Sequence, residues 1–285
     1  MFAAFPSVGV LDASFAAFLE YAVSSRISLS AARTAFSALR TFNPVLDRSL
    51  PVSHDCVTRL ERLRPSVSPP PLTWPLVVLY AWRLAPLDAR LSVALLVAFD
   101  AYLRVSELLG LRVCDVVVPA PGVDRRPTLL LPRTKTGKGR LQAVVVNRPE
   151  VGRLLLQVRA AAVAAAPAEG GGSTAKLFPF GADVVRARMA LVENEFRLAH
   201  FTPHSFRHGG ATADLQAGVP LDQVVLRGRW ASLKSARRYL QAALAHSLAV
   251  GVLEPEHAWG RAIAPLLYDY LARLHAAQRQ QRLQR

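Results

Sequence analysis

The chain of 285 residues is long enough for one large domain or two of ordinary size, and its 52% hydrophobic content excludes an intrinsically disordered protein. Its formal net charge of +15 indicates a polyanionic partner. Only four of the 35 basic residues are lysines; the rest are arginines, whose planar fork pairs with phosphate oxygens. A GC-rich coding bias would explain the preference for arginine over lysine, but not the excess of positive charge.

The two cysteines, Cys56 and Cys114, are far apart in sequence and lack the spacing of metal ligands. This pattern disfavours a disulfide framework and a zinc site, and it indicates a reducing compartment. The N-terminus lacks the basic region of a secretory signal, and the longest apolar runs are too short and interrupted to cross a membrane. We therefore expect an intracellular protein, nucleoid-associated or nuclear depending on its host, with no membrane partner.

Residues 1–64 are predicted to form a small helical domain. Apolar residues recur at helical spacing in its first part, at Leu11, Phe15, Phe18 and Leu19. A second helix is expected over Ser28–Leu39, capped by Ser28 or Ser30. Residues 65–75 are rich in proline, which is incompatible with a helix or an inner strand, and we expect a stiff linker there.

Residues 76–250 are predicted to form a larger domain that is mainly α-helical with a small antiparallel β-sheet. Helices are expected over Leu76–Leu84 and Leu87–Leu109. Proline and glycine turns then separate three expected strands, which are Val113–Val118, Leu129–Arg133 and Gln142–Val146. Helix returns after residue 149, so the fold class is α+β.

Residues 251–285 are predicted to form a C-terminal helix and a frayed tail. After Trp259 and Gly260 the helix carries an apolar stripe, formed by Ile263, Leu266, Leu267, Tyr270, Leu271 and Leu274. An exposed stripe of this size would be adhesive, so it must pack on its own domain or on a neighbouring copy of the chain. The sequence leaves both alternatives open.

The segment around His204 has the features of a phosphate-binding helix start. Thr202 is a favourable N-cap and Pro203 suits the first helical position, which places His204 in the first turn. Arg207 follows three residues later on the same face. A helix N-terminus attracts anions, although a surface helix start with incidental basic residues would look the same.

Two further segments carry basic residues in suggestive positions. Arg104 and Glu107 are predicted to share one face of a helix, where the glutamate orients the arginine toward an external anion; a plain structural ion pair is the alternative. Lys135 lies in a Gly-rich turn between strands, which would present it to a substrate; a solvated turn lysine is the alternative there.

Tyr239 is predicted to lie on a helix capped by Ser232. Two arginines directly precede it, and their positive charge favours the phenolate form of a side chain whose ordinary pKa is about 10. The alternative is a helix tyrosine with a buried ring and a hydrated hydroxyl. Trp230 lies nine residues before the tyrosine.

The order of these segments is more specific than any one of them. An Arg-x-x-Glu segment, a hairpin lysine, a His-x-x-Arg helix start and a tryptophan nine residues before a tyrosine resemble the tyrosine recombinase, or phage integrase, family. The resemblance extends over about Leu76 to Leu248 and implies an integrase-like catalytic domain behind a helical domain similar to the family's core-binding domain. The catalytic residues that it implies are Arg104, Lys135, His204, Arg207, Trp230 and Tyr239, supported by Glu107 and His208.

The resemblance also implies a mechanism. Tyr239 would attack the scissile phosphate and form a 3′-phosphotyrosyl intermediate, which stores the bond energy, so that rejoining requires no metal, ATP or other cofactor. The two arginines Arg104 and Arg207 would bind the non-bridging oxygens, while Lys135 and His204 transfer protons.

The chain departs from the family pattern in one place. The family usually has Leu-Gly-His before the tyrosine, and this chain has Arg227-Gly-Arg-Trp230. An indole N–H still donates a hydrogen bond to a phosphate oxygen, but it cannot act as an acid or a base.

The partners implied by the resemblance are double-stranded DNA and other copies of the chain, in a homo-tetramer on DNA, as in a recombinase of a mobile element. A type IB topoisomerase-like relaxing enzyme is one alternative function. A recombinase-derived DNA-binding protein that no longer transfers strands is another.

Overall fold

The computed structural model describes residues 7–25, 27–63, 70–120, 126–131, 142–165, 174–233, 236 and 254–283. Its contacts divide the chain into two compact units, Met1–Val67 and Ser68–Arg285. The described part is mainly α-helical with a small antiparallel sheet, which confirms the predicted fold class.

The first unit consists of three helices, α1 (Val8–Ser24), α2 (Leu29–Phe42) and α3 (Pro51–Leu63), with a 3₁₀ turn at Pro44–Leu46. The helix α2 begins as predicted, because the Ser28 hydroxyl accepts a hydrogen bond from the third residue after it at 3.1 Å. Apolar side chains from all three helices form the core of this unit, including Leu19, Phe36 and Val57.

A buried carboxylate ties two of these helices together. The side chain of Asp12 in α1 accepts hydrogen bonds from the backbone N–H groups of Val52 and Ser53 at 2.8 Å each. The Ser53 hydroxyl donates to the same carboxylate at 2.6 Å. Because those N–H groups belong to the first turn of α3, Asp12 satisfies donors that the helix itself leaves unpaired.

The second unit is organised around two helices that are buried almost all round, α4 (Trp74–Leu84) and α5 (Ala89–Asp100). Their apolar sequence on every face is typical of helices enclosed by others. The helix α4 begins two residues earlier than predicted, so the residues Trp74 and Pro75 of the expected linker are helical. Proline is compatible with this position because a first-turn residue has no intrahelical partner for its nitrogen.

The helix predicted over Leu87–Leu109 is wrong as a single element. It is divided into α5 and α6 (Val105–Gly110), because Tyr102 adopts a left-handed conformation with φ of 48°. The N–H of Leu103 donates to the carbonyl of Ala98 at 3.0 Å and that of Tyr102 donates to Phe99 at 3.3 Å, which is a Schellman motif. Glycine usually occupies the left-handed position of this motif, so a tyrosine there gave no sign of the helix end.

The three predicted strands form one antiparallel sheet in the order β1 (Val116–Val117), β2 (Thr128–Leu131) and β3 (Gln142–Val145). The residue Val116 pairs with Leu129, and Leu129 pairs with Val144. The first strand is shorter than predicted because Val113–Asp115 forms a 3₁₀ turn. The sheet thus covers one side of the second unit's core with its buried alternate side chains.

Four helices follow the sheet: α7 (Pro149–Ala164), α8 (Ala182–Phe196), α9 (Pro203–Gln216) and α10 (Leu221–Arg227). The helix α9 passes close to the end of α5, where Gly210 lies against the carbonyl of Phe99 and the ring of Tyr102. A Cβ atom at this position would collide with that carbonyl, so the glycine is required for the approach. The approach brings the first turns of α9 beside the α5–α6 connection.

The last helix, α11 (Glu254–Leu283), packs along α4 and closes the core of the second unit. From its predicted apolar stripe Ile263, Leu267 and Leu271 are buried in that core, while Leu266 is 59% exposed. The structure therefore places the stripe on the chain's own domain, the first of the two alternatives. Among the described residues, no helix is both long enough and apolar enough to cross a membrane.

Replacing Leu267 by alanine is expected to lower the free energy of unfolding by about 2–5 kcal/mol, because it removes a fully buried side chain from the seam between α11 and α4. The matched control is its neighbour, Leu266→Ala, which should change the same quantity by less than about 0.5 kcal/mol. Urea denaturation followed by circular dichroism measures both. Equal effects in the two variants would contradict the packing of α11 on its own domain.

Candidate functional site

The C-terminal end of helix α5 is surrounded by arginines. A helix end leaves carbonyl groups without intrahelical donors, and it carries the negative end of the helix dipole. Here the carbonyl of Asp100 accepts from Arg227 at 2.5 Å, and that of Ala101 accepts from Arg229 at 3.4 Å. The carbonyl of Tyr102 accepts from Arg207 at 2.5 Å and from Arg229 at 3.1 Å.

Next to this helix end lies a buried carboxylate that contacts three arginines. The Glu107 side chain is 1% exposed, and its Oε1 lies 2.6 Å from Nη1 of Arg104. Its Oε2 lies 2.9 Å from Nη2 of Arg229 and 3.8 Å from Nη1 of Arg207. We call these four residues the Glu107 cluster. It joins the start of α6, the first turns of α9 and the segment after α10.

Arg104 occupies a different local setting from the one predicted. It is the N-cap residue of α6, not an interior helix residue, and its backbone N–H donates to Oε2 of Glu107 at 2.9 Å. Glu107 therefore fixes both the main chain and the guanidinium of Arg104, as expected for an orienting residue. The Arg104 side chain is 31% exposed, the largest exposed fraction among the three arginines of the cluster.

Burial raises the pKa of Glu107, but Arg229 and the hydrogen bonds from Arg104 outweigh this effect and hold it below its ordinary value. Glu107 is therefore charged, and the cluster contains one negative and three positive groups. The excess positive charge, partly enclosed by protein, favours the binding of an anion at the exposed side of Arg104.

The first turn of α9 is built as the sequence predicted. Thr202 is the N-cap residue and Pro203 is the first helical residue. The N–H of Thr202 donates to the hydroxyl of Ser205 at 3.1 Å, which fixes the start of the helix. His204 is half-buried in this turn, and its ring centroid lies 4.6 Å from that of His208, one turn further on.

Burial lowers the pKa of His204 below its ordinary value of 6.5, and the positive charges of Arg207 and Arg104 lower it further. The imidazole is therefore neutral near neutral pH, so one ring nitrogen can accept a proton. The same Coulombic effects show that His204 lies within electrostatic reach of the Glu107 cluster.

Arg207 lies deeper than the sequence analysis expected. Its side chain is 0% exposed, and both terminal nitrogens donate to backbone carbonyls, one to Tyr102 and the other to Gly228. It thereby joins the end of α5 to the residue after α10. A second layer lies behind it, where the hydroxyl of Tyr102 donates to Asp214.

Trp230 closes one side of the cluster. Its ring centre lies 4.9 Å from the guanidinium carbon of Arg207, a cation–π contact, and 6.4 Å from the ring of Tyr102. Gly228 lies so close to this indole that a Cβ atom there would overlap the ring. The tryptophan is half-buried, which places it beside the arginines that were predicted to bind phosphate.

The structure therefore brings together four of the predicted residues, which are Arg104, Glu107, Arg207 and Trp230, with His204 and His208 next to them. Lys135 and Tyr239 lie outside the described residues. The nearest hydrogen bond before Tyr239 among the described residues is the one that the N–H of Ala236 donates to the carbonyl of Ser232 at 3.2 Å.

Sequence reasoning missed Arg227 and Arg229 as parts of the site. The available signal was their position, because two arginines flank the glycine of Arg227-Gly-Arg-Trp230 directly before a predicted site residue. These arginines donate to main-chain carbonyls and to a buried carboxylate. Such partners cannot be predicted from the sequence until the end of α5 is known.

Comparisons with known proteins agree with this geometry. The model of the phage integrase family matches residues 78–246, which is more than half of the chain. A comparison with curated protein sequences gives no significant match. The matched range 78–246 includes every predicted catalytic position.

Several solved structures share the fold. The Tn1549 transposon integrase (residues 82–397), in complex with circular intermediate DNA, has a TM-score of 0.58 and 16% identity over 83% of this chain and 84% of that one. XerH site-specific recombinase bound to palindromic difH substrate, in a post-cleavage complex, has a TM-score of 0.53 and 16% identity over 85% of this chain and 72% of that one. Its pre-cleavage complex with difH has a TM-score of 0.52 and 16% identity over 80% and 66% of the two chains.

Glu107→Gln is expected to destabilise the second unit by about 3–5 kcal/mol, because it removes the one negative charge among three partly or fully buried arginines. The same substitution in an exposed ion pair, Glu195→Gln beside Arg83, should cost no more than about 1 kcal/mol. Urea unfolding of both variants gives the two values. A cost for Glu107→Gln as small as that of the control would show that the carboxylate does not hold the cluster.

Proposed function

We propose a mechanism by which this chain cleaves and rejoins DNA. The chain belongs to the phage integrase family and is a site-specific tyrosine recombinase. Tyr239 attacks the scissile phosphate, forms a 3′-phosphotyrosyl bond and releases a 5′-hydroxyl. Attack by a 5′-hydroxyl on the phosphotyrosyl bond then forms a phosphodiester and releases Tyr239, and strands are exchanged when that hydroxyl belongs to the second duplex. The convergence of Arg104 and Arg207 on Glu107, with His204 beside them, is the observation that supports this proposal most directly.

The exposed side of Arg104 is where the scissile phosphate would bind. Glu107 holds this guanidinium from behind, and 31% of the Arg104 side chain is exposed. A pre-oriented arginine stabilises the charge that develops on the phosphate oxygens during attack, and removal of one such donor typically costs about 10²–10³-fold in rate.

Arg207 supplies positive charge from beneath this position. Its two terminal nitrogens donate to the carbonyls of Tyr102 and Gly228, and its side chain is 0% exposed, so direct contact with phosphate requires the groups that cover it to move. To Trp230, which packs on Arg207, we assign the donation of its indole N–H to the same phosphate.

Proton transfer is assigned to His204 and Lys135. The lowered pKa of His204 keeps its imidazole neutral near neutral pH, as required of a group that accepts the phenolic proton of Tyr239. Lys135 would donate a proton to the leaving 5′ oxygen. The reaction that we propose uses no metal or other cofactor, because the covalent bond retains the energy of the phosphodiester.

Double-stranded DNA is the proposed substrate, held by both units of the chain. The net charge of +15 supports a polyanionic partner, and the structures of Tn1549 integrase and XerH contain DNA. We further propose that four copies assemble on DNA, since two duplexes must be held together for strand exchange. In that assembly the first unit acts as a core-binding domain.

Tyr239→Phe is expected to bind DNA with unchanged affinity and to form no covalent protein–DNA adduct, because only the nucleophilic oxygen is lost. Incubation with a suicide substrate, followed by denaturing electrophoresis, detects the adduct directly. The control is Tyr270→Phe, a hydroxyl deletion in α11 next to Trp82, which should form the adduct as the wild type does. Adduct formation by Tyr239→Phe would refute the assignment of the nucleophile.

The rate of adduct formation at DNA concentrations far below the dissociation constant should decrease in acid, and the midpoint of this decrease should lie below pH 6.5. The neutral form of His204 is the active form, and its lowered pKa in the free enzyme moves protonation below the ordinary value of 6.5. A His204→Gln variant should be slower and should lose this dependence on acid. An acid limb centred above pH 6.5 in the wild type would contradict the assignment.

A further inference from the structure

Arg229 has a backbone conformation that arginine rarely adopts. Its φ is 54°, in the left-handed region that favours glycine, yet its side chain is only 6% exposed. A long charged side chain is therefore buried at a position where its own main chain is strained. Strained residues of this kind persist where their surroundings fix them, and they are concentrated at functional sites.

The left-handed conformation directs Arg229 back toward the end of α5. Its Nη2 lies 2.9 Å from Oε2 of Glu107 and donates to the carbonyl of Tyr102 at 3.1 Å. Its Nη1 donates to the carbonyl of Arg227 at 3.1 Å and to that of Ala101 at 3.4 Å. One guanidinium thus connects the carboxylate that orients Arg104 with the turn that immediately precedes Arg104.

These contacts restrain Arg104 from two directions. Arg229 gives the Glu107 carboxylate a hydrogen-bond donor from outside Arg104, whose backbone N–H and guanidinium also donate to it. The Tyr102 carbonyl lies two residues before Arg104, so its position sets the direction in which the chain enters α6. Arg229 fixes both of these groups but, being almost completely buried, is itself shielded from DNA.

We propose that Arg229 is a positioning residue for DNA cleavage, which acts through Glu107 and the Ala101–Leu103 turn to hold Arg104 against the scissile phosphate. The assignment rests on the proposed role of Arg104 in phosphate binding. It predicts that loss of the Arg229 guanidinium slows the chemical step more than it weakens DNA binding, because DNA affinity comes from many phosphate contacts and the transition state depends on this one.

The test compares Arg229→Gly and Arg229→Lys with the wild type in single-turnover cleavage of a suicide substrate at saturating DNA. Glycine relieves the left-handed backbone, so the variant should remain folded while its cleavage rate falls by about 10–100-fold. The dissociation constant for DNA should change by less than about threefold. Arg229→Lys keeps the positive charge but lacks the planar guanidinium, so its cleavage rate should lie between those of the wild type and Arg229→Gly.

Arg197→Gly is the matched control. Arg197 also has a left-handed conformation, with φ of 52°, but it is an exposed residue at the end of α8. The same substitution there should leave the cleavage rate unchanged. If relief of a left-handed arginine backbone were enough to slow cleavage, both variants would be slow. Loss of the Arg229 guanidinium should slow only Arg229→Gly.

Chemical rescue provides the readout that a purely structural role would not produce. Guanidinium ion at millimolar concentration should partly restore cleavage by Arg229→Gly and leave the wild type and Arg197→Gly unaffected. The assignment would be overturned if Arg229→Gly cleaved at the wild-type rate. It would also be overturned if this variant cleaved slowly, showed no rescue and lost thermal stability in proportion. Absence of an adduct from the wild type would instead overturn the proposed cleavage mechanism, and this assignment with it.

Discussion

The second unit depends on one interaction, the contact of the buried Glu107 carboxylate with the guanidinium groups of Arg104, Arg207 and Arg229. Arg207 and Arg229 lie 100 and 122 positions after Glu107 in sequence, and the carboxylate is the shared acceptor around which they and Arg104 meet. A buried charge is tolerated only when it is paired and hydrogen-bonded, so the positions of all three arginines are coupled to that of Glu107. The orientation of Arg104 toward a substrate is therefore a property of the whole cluster.

The cluster is located where it is because helix α5 ends there. The left-handed Tyr102 stops the helix in a Schellman motif and leaves the carbonyls of Asp100, Ala101 and Tyr102 without helical donors. Arginines from α9, from the end of α10 and from the segment after it supply those donors. The helix end thus draws together the segments that carry the predicted catalytic residues, and the same arginines serve both the fold and the site.

The parts of the fold that were predicted correctly are those with a local cause. Thr202 and Pro203 specify a helix start by their own chemistry, and the short apolar run at Leu129–Leu131, which lies between turn segments, specifies a strand. The end of α5 was missed because its signal is a tyrosine where glycine would be expected, and the tertiary contacts of Gly210 and Arg207 with this turn stabilise it. The role of Arg229 was missed for the same reason. It donates to the carbonyls of Ala101 and Tyr102 at the end of α5, and the sequence does not mark where that helix ends.

The net charge of the Glu107 cluster explains why this site would favour DNA cleavage and not only DNA binding. Three arginines face one carboxylate, so two positive charges are uncompensated in the protein alone. A bound phosphodiester supplies about one negative charge, and the phosphorane-like transition state of attack carries about two. The uncompensated positive charge of the cluster would therefore stabilise the more negative transition state more than the bound phosphodiester.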